Sequence, residues 1–154
     1  MRIRPASAAD LEAICLIEDS SFSDPYPRHL LKRLLEEIGN TFLIAERRDG
    51  ELLGYCVSSV EGSLAHLISI AVLTEGRKKG VATALLQNLI DHLKLSGVAE
   101  LWLEVKQGNK EAIKLYEKFD FERMMLLENY YSDGSAALRM RMNLKKHAVK
   151  LEGK

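Results

Sequence analysis

This chain has no excess of either charge: 22 Lys and Arg stand against 22 Asp and Glu, and the formal net charge is zero. A general nucleic-acid binder carries a basic excess, so that class is excluded, although a local basic groove is not. Cysteine is scarce as well. Cys15 and Cys56 lie in apolar segments with no metal-ligand spacing, so no metal site is expected. They read as buried free thiols of a reducing compartment. No apolar run approaches the roughly 20 residues of a membrane helix, and the N-terminus lacks the apolar core of a signal peptide. A cytoplasmic protein with no membrane association is expected. Neither G-x-x-x-x-G-K-[ST] nor G-x-G-x-x-G occurs, which excludes a P-loop and a Rossmann dinucleotide site. Internal repeats, domain linkers and low-complexity stretches are absent too.

What is present is one chain of 154 residues, long enough for a single domain with a sizeable core. It is organised around residues 66–93, HLISIAVLTEGRKKGVATALLQNLIDHL. A strand-like apolar run ends in Thr74-Glu75-Gly76 and is followed by Arg77-Lys78-Lys79-Gly80. Ala82, Leu85, Leu86, Leu89 and Leu93 then recur at helical spacing. A basic, glycine-bearing turn thus stands where a buried strand hands over to a helix. Three cations at a helix N-terminus oppose the helix dipole, and a polyanion in the turn reverses that penalty. On its residues alone the turn reads either as a solvated basic turn or as a phosphate site.

Strand, R-x-x-G-x-A and amphipathic helix together resemble the acetyl-CoA-binding core of the GNAT N-acetyltransferases. Residues 101–122, LWLEVKQGNKEAIKLYEKFDFE, resemble a segment of the ribosomal-protein and protein N-terminal acetyltransferases, the RimI and archaeal Ard1 type. Asn129-Tyr130-Tyr131-Ser132-Asp133-Gly134 resembles their substrate-side loop. The resemblance covers roughly residues 3–144.

The rest of the chain fits that order. Residues 2–4 form a strand candidate stopped by Pro5. Ser7 and Asp10 suit a capping box, and Leu11, Ile14, Cys15 and Ile17 share a helical face. Phe22-Ser23-Asp24-Pro25-Tyr26-Pro27 cannot be regular helix. Pro27 suits the first position of a second helix, which carries Leu30, Leu31, Leu34, Leu35 and Ile38 and stops at Gly39-Asn40. Strands are predicted at 42–46 and 52–59 around the Asp49-Gly50 hairpin turn. Further strands are predicted at 99–105, 121–129 and 136–144, with a helix at 109–119. The fold class is α/β. The resemblance implies a mixed, mostly antiparallel sheet splayed at its centre and flanked by about four helices. One acetyltransferase domain is expected over 1–144, with a charged, frayed tail over 145–154.

The resemblance also assigns roles. The turn from Arg77 through Lys78, Lys79, Gly80, Val81 and Ala82 to Thr83 would bind the CoA pyrophosphate, and Gly80 would allow close backbone approach. Ile70, Ala71 and Val72 would hold the acetyl carbonyl and pantetheine. Asn109 and Lys118, at the two ends of one helix, would complete the cofactor contacts, and Asn109 is also a good N-cap. Tyr116 would face the CoA sulfur and protonate the leaving thiolate; its plain alternative is a core tyrosine. Glu104 is the implied base, acting through water, and otherwise a solvated strand end. His66 is a second base or a substrate contact, and otherwise a structural histidine. Phe22, Pro25, Tyr26, Tyr130 and Tyr131 would form the substrate mouth, or merely cover core. Where relatives carry Leu-Gly-Phe this chain has Phe119-Asp120-Phe121, and Asp tolerates the left-handed conformation such a helix end needs.

The expected reaction is acetyl transfer from acetyl-CoA, the cosubstrate, to the N-terminal α-amine of proteins, ribosomal proteins among them. The alternatives are a small-molecule amine or lysine acetyltransferase, and a non-catalytic CoA-binding partner subunit. A monomer or weak homodimer is expected.

Overall fold

The computed structural model describes residues 1–145. In chain order its elements are β1 (Arg2–Pro5), α1 (Leu11–Ser21), α2 (Arg28–Glu36), β2 (Thr41–Glu46), β3 (Leu52–Glu61), β4 (Leu64–Val72), α3 (Val81–Leu95), β5 (Glu100–Lys106), α4 (Lys110–Lys118), β6 (Glu122–Leu127) and β7 (Ala137–Asn143). This is the α/β architecture expected, a seven-stranded mixed sheet with four α-helices. Most strand pairs are antiparallel, while β4 and β5 pair parallel. The described chain divides into two compact units, Met1–Val60 with Ile68–His92, and Glu61–Leu67 with residues 93–145. The expected tail lies, from residue 146, outside the described residues.

In the first unit β1, β2 and β3 form an antiparallel ladder with Ile3 opposite Ala45 and Ile44 opposite Tyr55. The Asp49-Gly50 turn closes the hairpin, with Gly50 at φ +89° and the Arg47 N–H donating to the Glu51 carbonyl at 2.8 Å. Alternation along the strands sends Phe42, Ile44, Tyr55 and Val57 to one face. There they meet Leu11, Ile14 and Ile17 of α1 and Leu31 and Leu34 of α2 in one buried cluster. On α3 the helical repeat holds: Leu85, Leu86, Leu89 and Ile90 are fully buried.

Three local expectations fail in this unit. Pro27 is the N-cap of α2 rather than its first residue. Its backbone is extended, and its carbonyl accepts the Leu30 and Leu31 N–H groups at 3.0 and 3.2 Å. Ile38 is wholly exposed because α2 ends at Glu36 and never carries the apolar face that far. Of the two thiols Cys56 is buried, but Cys15 is half-buried.

In the second unit β5 pairs with β7 over its whole length, Leu103 opposite Met140 and Glu104 opposite Arg139. β6 pairs with β7 through an irregularity between Arg123 and Met125. Leu101, Leu103, Val105, Leu138, Met140 and Met142 are buried. Asn109 caps α4 as expected, its side chain accepting the Ala112 N–H at 3.2 Å. At the other end Asp120 takes φ +69°. The Phe121 N–H reaches the Tyr116 carbonyl at 3.1 Å and the Asp120 N–H reaches that of Glu117 at 3.0 Å. That pairing is a Schellman ending, formed here on Asp as anticipated.

Gly54, inside β3, shows how tightly β3 and the end of β4 approach. A Cβ on it would stand 2.7 Å from the Ala71 carbonyl oxygen. Gly54→Ala is therefore expected to cost about 1–3 kcal/mol by overpacking. Ser58 of the same strand differs: it is fully buried, and its hydroxyl has no partner among the described residues. Ser58→Ala removes an unsatisfied group and is expected to leave stability unchanged or raised. Urea denaturation of both variants checks the pair, and a tolerated Gly54→Ala would show that β4 can shift freely.

Candidate active site

The first unit carries the basic turn. After a short 3-10 turn, Thr74–Gly76, the backbone enters the left-handed region twice, with Lys78 at φ +61° and Gly80 at φ +79°. Glycine meets that geometry at no steric cost, whereas a lysine there is strained by the order of 1–3 kcal/mol. The Gly80 carbonyl accepts the Ala84 N–H at 2.9 Å. Val81, Ala82 and Thr83 therefore occupy the first turn of α3, where N–H groups have no intrahelical acceptor. Val81 is buried and anchors the helix start, while Lys78 and Lys79 are exposed. A Cβ on Gly80 would meet nothing within 4 Å. The glycine is thus required for its φ, and the space beside it is open. Amides at a helix start, two exposed cations and that open space fit a diphosphate.

Arg77 plays a more structural part than its sequence position implied. Its Nε donates to the Val72 carbonyl at 3.2 Å, which ties the turn to the end of β4 and occupies that carbonyl. Ala71 is buried, with Ile70 and Val72 half-buried beside it. In the same unit residues 22–27 join α1 to α2 without regular structure. Phe22 and Tyr26 are exposed and Pro25 is half-buried.

The second unit carries a hydrogen-bonded polar group. On β5 the side chains alternate, with Leu101, Leu103 and Val105 in the core and Glu100, Trp102 and Glu104 on the other face. The parallel ladder with β4 sets His66 opposite Trp102. His66 Nε2 lies 2.6 Å from Glu104 Oε1, and Arg139 Nε donates to Glu104 Oε2 at 2.8 Å. Glu104 is only 9 % exposed at its side chain, against 47 % for His66. Burial pushes the Glu104 carboxyl up, but the hydrogen bonds and charges of His66 and Arg139 outweigh it and hold the group below the usual carboxylate range. An ionised carboxylate only accepts, so Nε2 of a neutral His66 is the donor and Nδ1 is the accepting nitrogen.

The loop after β6 lies beside this group. Burial, then the Glu104 charge, raise the Tyr130 phenol. Tyr130 and Tyr131 pack edge to face at 5.0 Å. Asp133 fastens the loop: it accepts the Ser135 hydroxyl at 2.6 Å and the Ser135 N–H at 2.9 Å, and pairs with Lys106 at 3.1 Å. Those donors hold its carboxyl well below the usual range, and Lys106 also sits 5.3 Å from the Tyr131 ring centroid. Tyr116 is buried on α4 and meets Phe121 edge to face at 5.6 Å. Asn109 and Lys118 are exposed on the same helix.

Sequence reasoning did not single out Arg139, Lys106 or Asp133. The signal for Arg139 was present in the alternation Leu138-Arg139-Met140-Arg141-Met142, which marks a polar face on β7. Which carboxylate that face meets depends on pairing between strands distant in sequence.

The profile of the acetyltransferase (GNAT) family matches residues 11–121, and the chain belongs to that family. Its acetyl donor is acetyl-CoA. An N-alpha-acetyltransferase of Sulfolobus acidocaldarius is 36% identical over 152 residues, covering 90% of each chain. The ribosomal protein bS18-alanine N-acetyltransferase of Escherichia coli is 33% identical over 130 residues, covering 84% of this chain and 86% of that protein. The crystal structure of Ard1 from Thermoplasma volcanium superposes with a TM-score of 0.87 at 30% identity, covering 92% of this chain and 96% of that one.

The Glu104 arrangement has a pH signature. A carboxyl whose folded pKa lies below its unfolded value, ~4.3, stabilises the fold above that value and loses the contribution as pH falls through the folded pKa. Glu104→Gln is expected to cost about 1–2 kcal/mol at pH 7, with the difference from the parent shrinking below about pH 4. Denaturation midpoints measured from pH 7 down to pH 3 check this. A pH-independent gap would remove the ionised carboxylate from the account.

Proposed function

We propose that this chain transfers the acetyl group of acetyl-CoA to the N-terminal α-amine of proteins in the cytoplasm, ribosomal proteins among them, with residues 1–144 acting as one catalytic domain. The observation that carries the reading is His66 held by Glu104, itself held by Arg139. It is supported by the N-terminal acetyltransferase activities named for the Sulfolobus and Escherichia coli relatives.

The chemistry follows from proton demand. Transfer requires a neutral amine, a polarised thioester carbonyl and a proton for the leaving thiolate. An α-ammonium has a reference pKa near ~8, and a lysine near ~10.4. Near pH 7 roughly a tenth of α-amines are already neutral, against under a thousandth of lysines. A histidine suits the easier proton. His66 Nδ1 takes it, and Glu104 fixes the tautomer and stabilises the imidazolium. This assigns the base to His66 and a positioning role to Glu104. The neutral nitrogen then bonds to the carbonyl carbon, the C–S bond breaks and the Tyr116 phenol protonates the thiolate; the acylated nitrogen gives its second proton to solvent, from which the phenolate is reprotonated. The basic turn from Arg77 to Thr83 and the backbone of Ile70, Ala71 and Val72 bind the donor, with Asn109 and Lys118. Phe22, Pro25, Tyr26, Tyr130 and Tyr131 contact the acceptor.

Matched peptides test the substrate class: one with a free N-terminus and no lysine, one N-terminally blocked with an internal lysine. The free N-terminus is expected to be acetylated faster, and the reverse order overturns the proposal. The base is tested through the pH–rate profile. His66→Ala is expected to lower kcat by about 10²-fold or more and to remove the limb of the profile that the base contributes. Retention of that limb would move the base elsewhere.

A further inference from the structure

Glu18 is a carboxyl that the mechanism does not use and that sequence reasoning passed over. It lies on α1, only 2 % exposed, and no cation pairs with it among the described residues. Neutral donors satisfy it instead. Oε1 accepts the Tyr55 hydroxyl and the Ser69 hydroxyl, the latter at 3.3 Å, and those two hydroxyls lie 3.1 Å apart. Oε2 accepts the backbone N–H of Tyr26 at 2.9 Å. The Glu18 main-chain carbonyl also accepts the Phe22 N–H at 3.2 Å.

One residue therefore grips both ends of the aromatic loop. Its backbone holds Phe22, 40 % exposed, and its side chain holds Tyr26, 36 % exposed. The same carboxyl is moored to Tyr55 of β3 and to Ser69 of β4, next to Ile70. Burying a carboxyl away from any cation is costly, and a core helix position needs none. An apolar residue fills such a place better unless the loop must be held at one position.

We infer that Glu18 is a positioning residue for the acceptor: it clamps the Phe22 and Tyr26 lip to strand β4 and so sets which N-terminal residues the enzyme accepts. This rests on the reading that the lip contacts the acceptor. Donor binding does not pass through Glu18.

The test compares Glu18→Gln with Glu18→Met in the full chain. A glutamine oxygen accepts the Tyr26 N–H, and its NH2 group donates to the two hydroxyls, so the clamp survives. Methionine fills the volume without it. Glu18→Met is expected to raise the KM for an N-terminal peptide about tenfold or more, with kcat within about twofold and acetyl-CoA affinity unchanged. Glu18→Gln is expected to stay near the parent. Hydrogen exchange of the Tyr26 amide gives a readout free of activity: slow in the parent and in Glu18→Gln, fast in Glu18→Met. Should Glu18→Met not fold, Ser69→Ala takes its place, with a smaller rise in KM expected. Unchanged peptide KM in a folded Glu18→Met or Ser69→Ala protein overturns the inference. A joint fall in kcat, peptide affinity and acetyl-CoA affinity does so too, because it marks a merely structural role. If the parent acetylates no N-terminal peptide, the proposed function fails while the exchange result still reports on the clamp.

Discussion

The register between β5 and β7 is the constraint on which the polar group of the second unit depends. Side chains on a strand alternate between faces, so a slip of one residue would exchange the two sets. Such a slip of β5 would carry Glu104 into the space of Leu103 and away from His66 and Arg139, the two partners that hold its carboxyl ionised. The apolar set resists that slip. Leu101, Leu103 and Val105 are buried with Leu138, Met140 and Met142, and the three on β5 would be turned to solvent. The hydrophobic pattern thus fixes the placement of an ionised carboxylate without touching it.

A comparable coupling of fold and chemistry runs through the first unit. The turn after β4 stores strain at Lys78 and relieves it at Gly80. It is tied back by Arg77 to Val72 and anchored forward by the buried Val81. Such a turn is costly for the bare protein, because its cations stand at the positive end of a helix. An anion held at such a helix start would offset that cost. Gly54 adds a steric constraint: β3 can approach the Ala71 carbonyl closely because that position lacks a side chain.

Much of this was legible from residues alone where the signal was local. The strand–turn–helix of residues 66–93, the Asp49-Gly50 hairpin, the Asn109 cap and the left-handed Asp120 each follow from backbone preferences over a few residues. Boundaries were less legible, since Pro27 caps α2 instead of opening it and Ile38 falls past its end. Both depend on where the neighbouring chain supplies hydrogen-bond partners. The Arg77 Nε bond to the Val72 carbonyl was not legible either, because it depends on how the turn folds back on the end of β4.

The sequence by itself determined the α/β class, the family, the basic turn and the identity of the candidate acid and bases, because periodicity, turn chemistry and motif spacing are properties of contiguous residues. Only the tertiary structure decided which groups act on one another. His66, Glu104 and Arg139 are separated by 38 and 35 residues along the chain, and Glu18 meets Tyr55 and Ser69 across 37 and 51. Hydrogen bonds of that kind are made by strand register and helix packing. No local rule of the chain could distinguish the buried Glu18 from any other glutamate on an amphipathic helix.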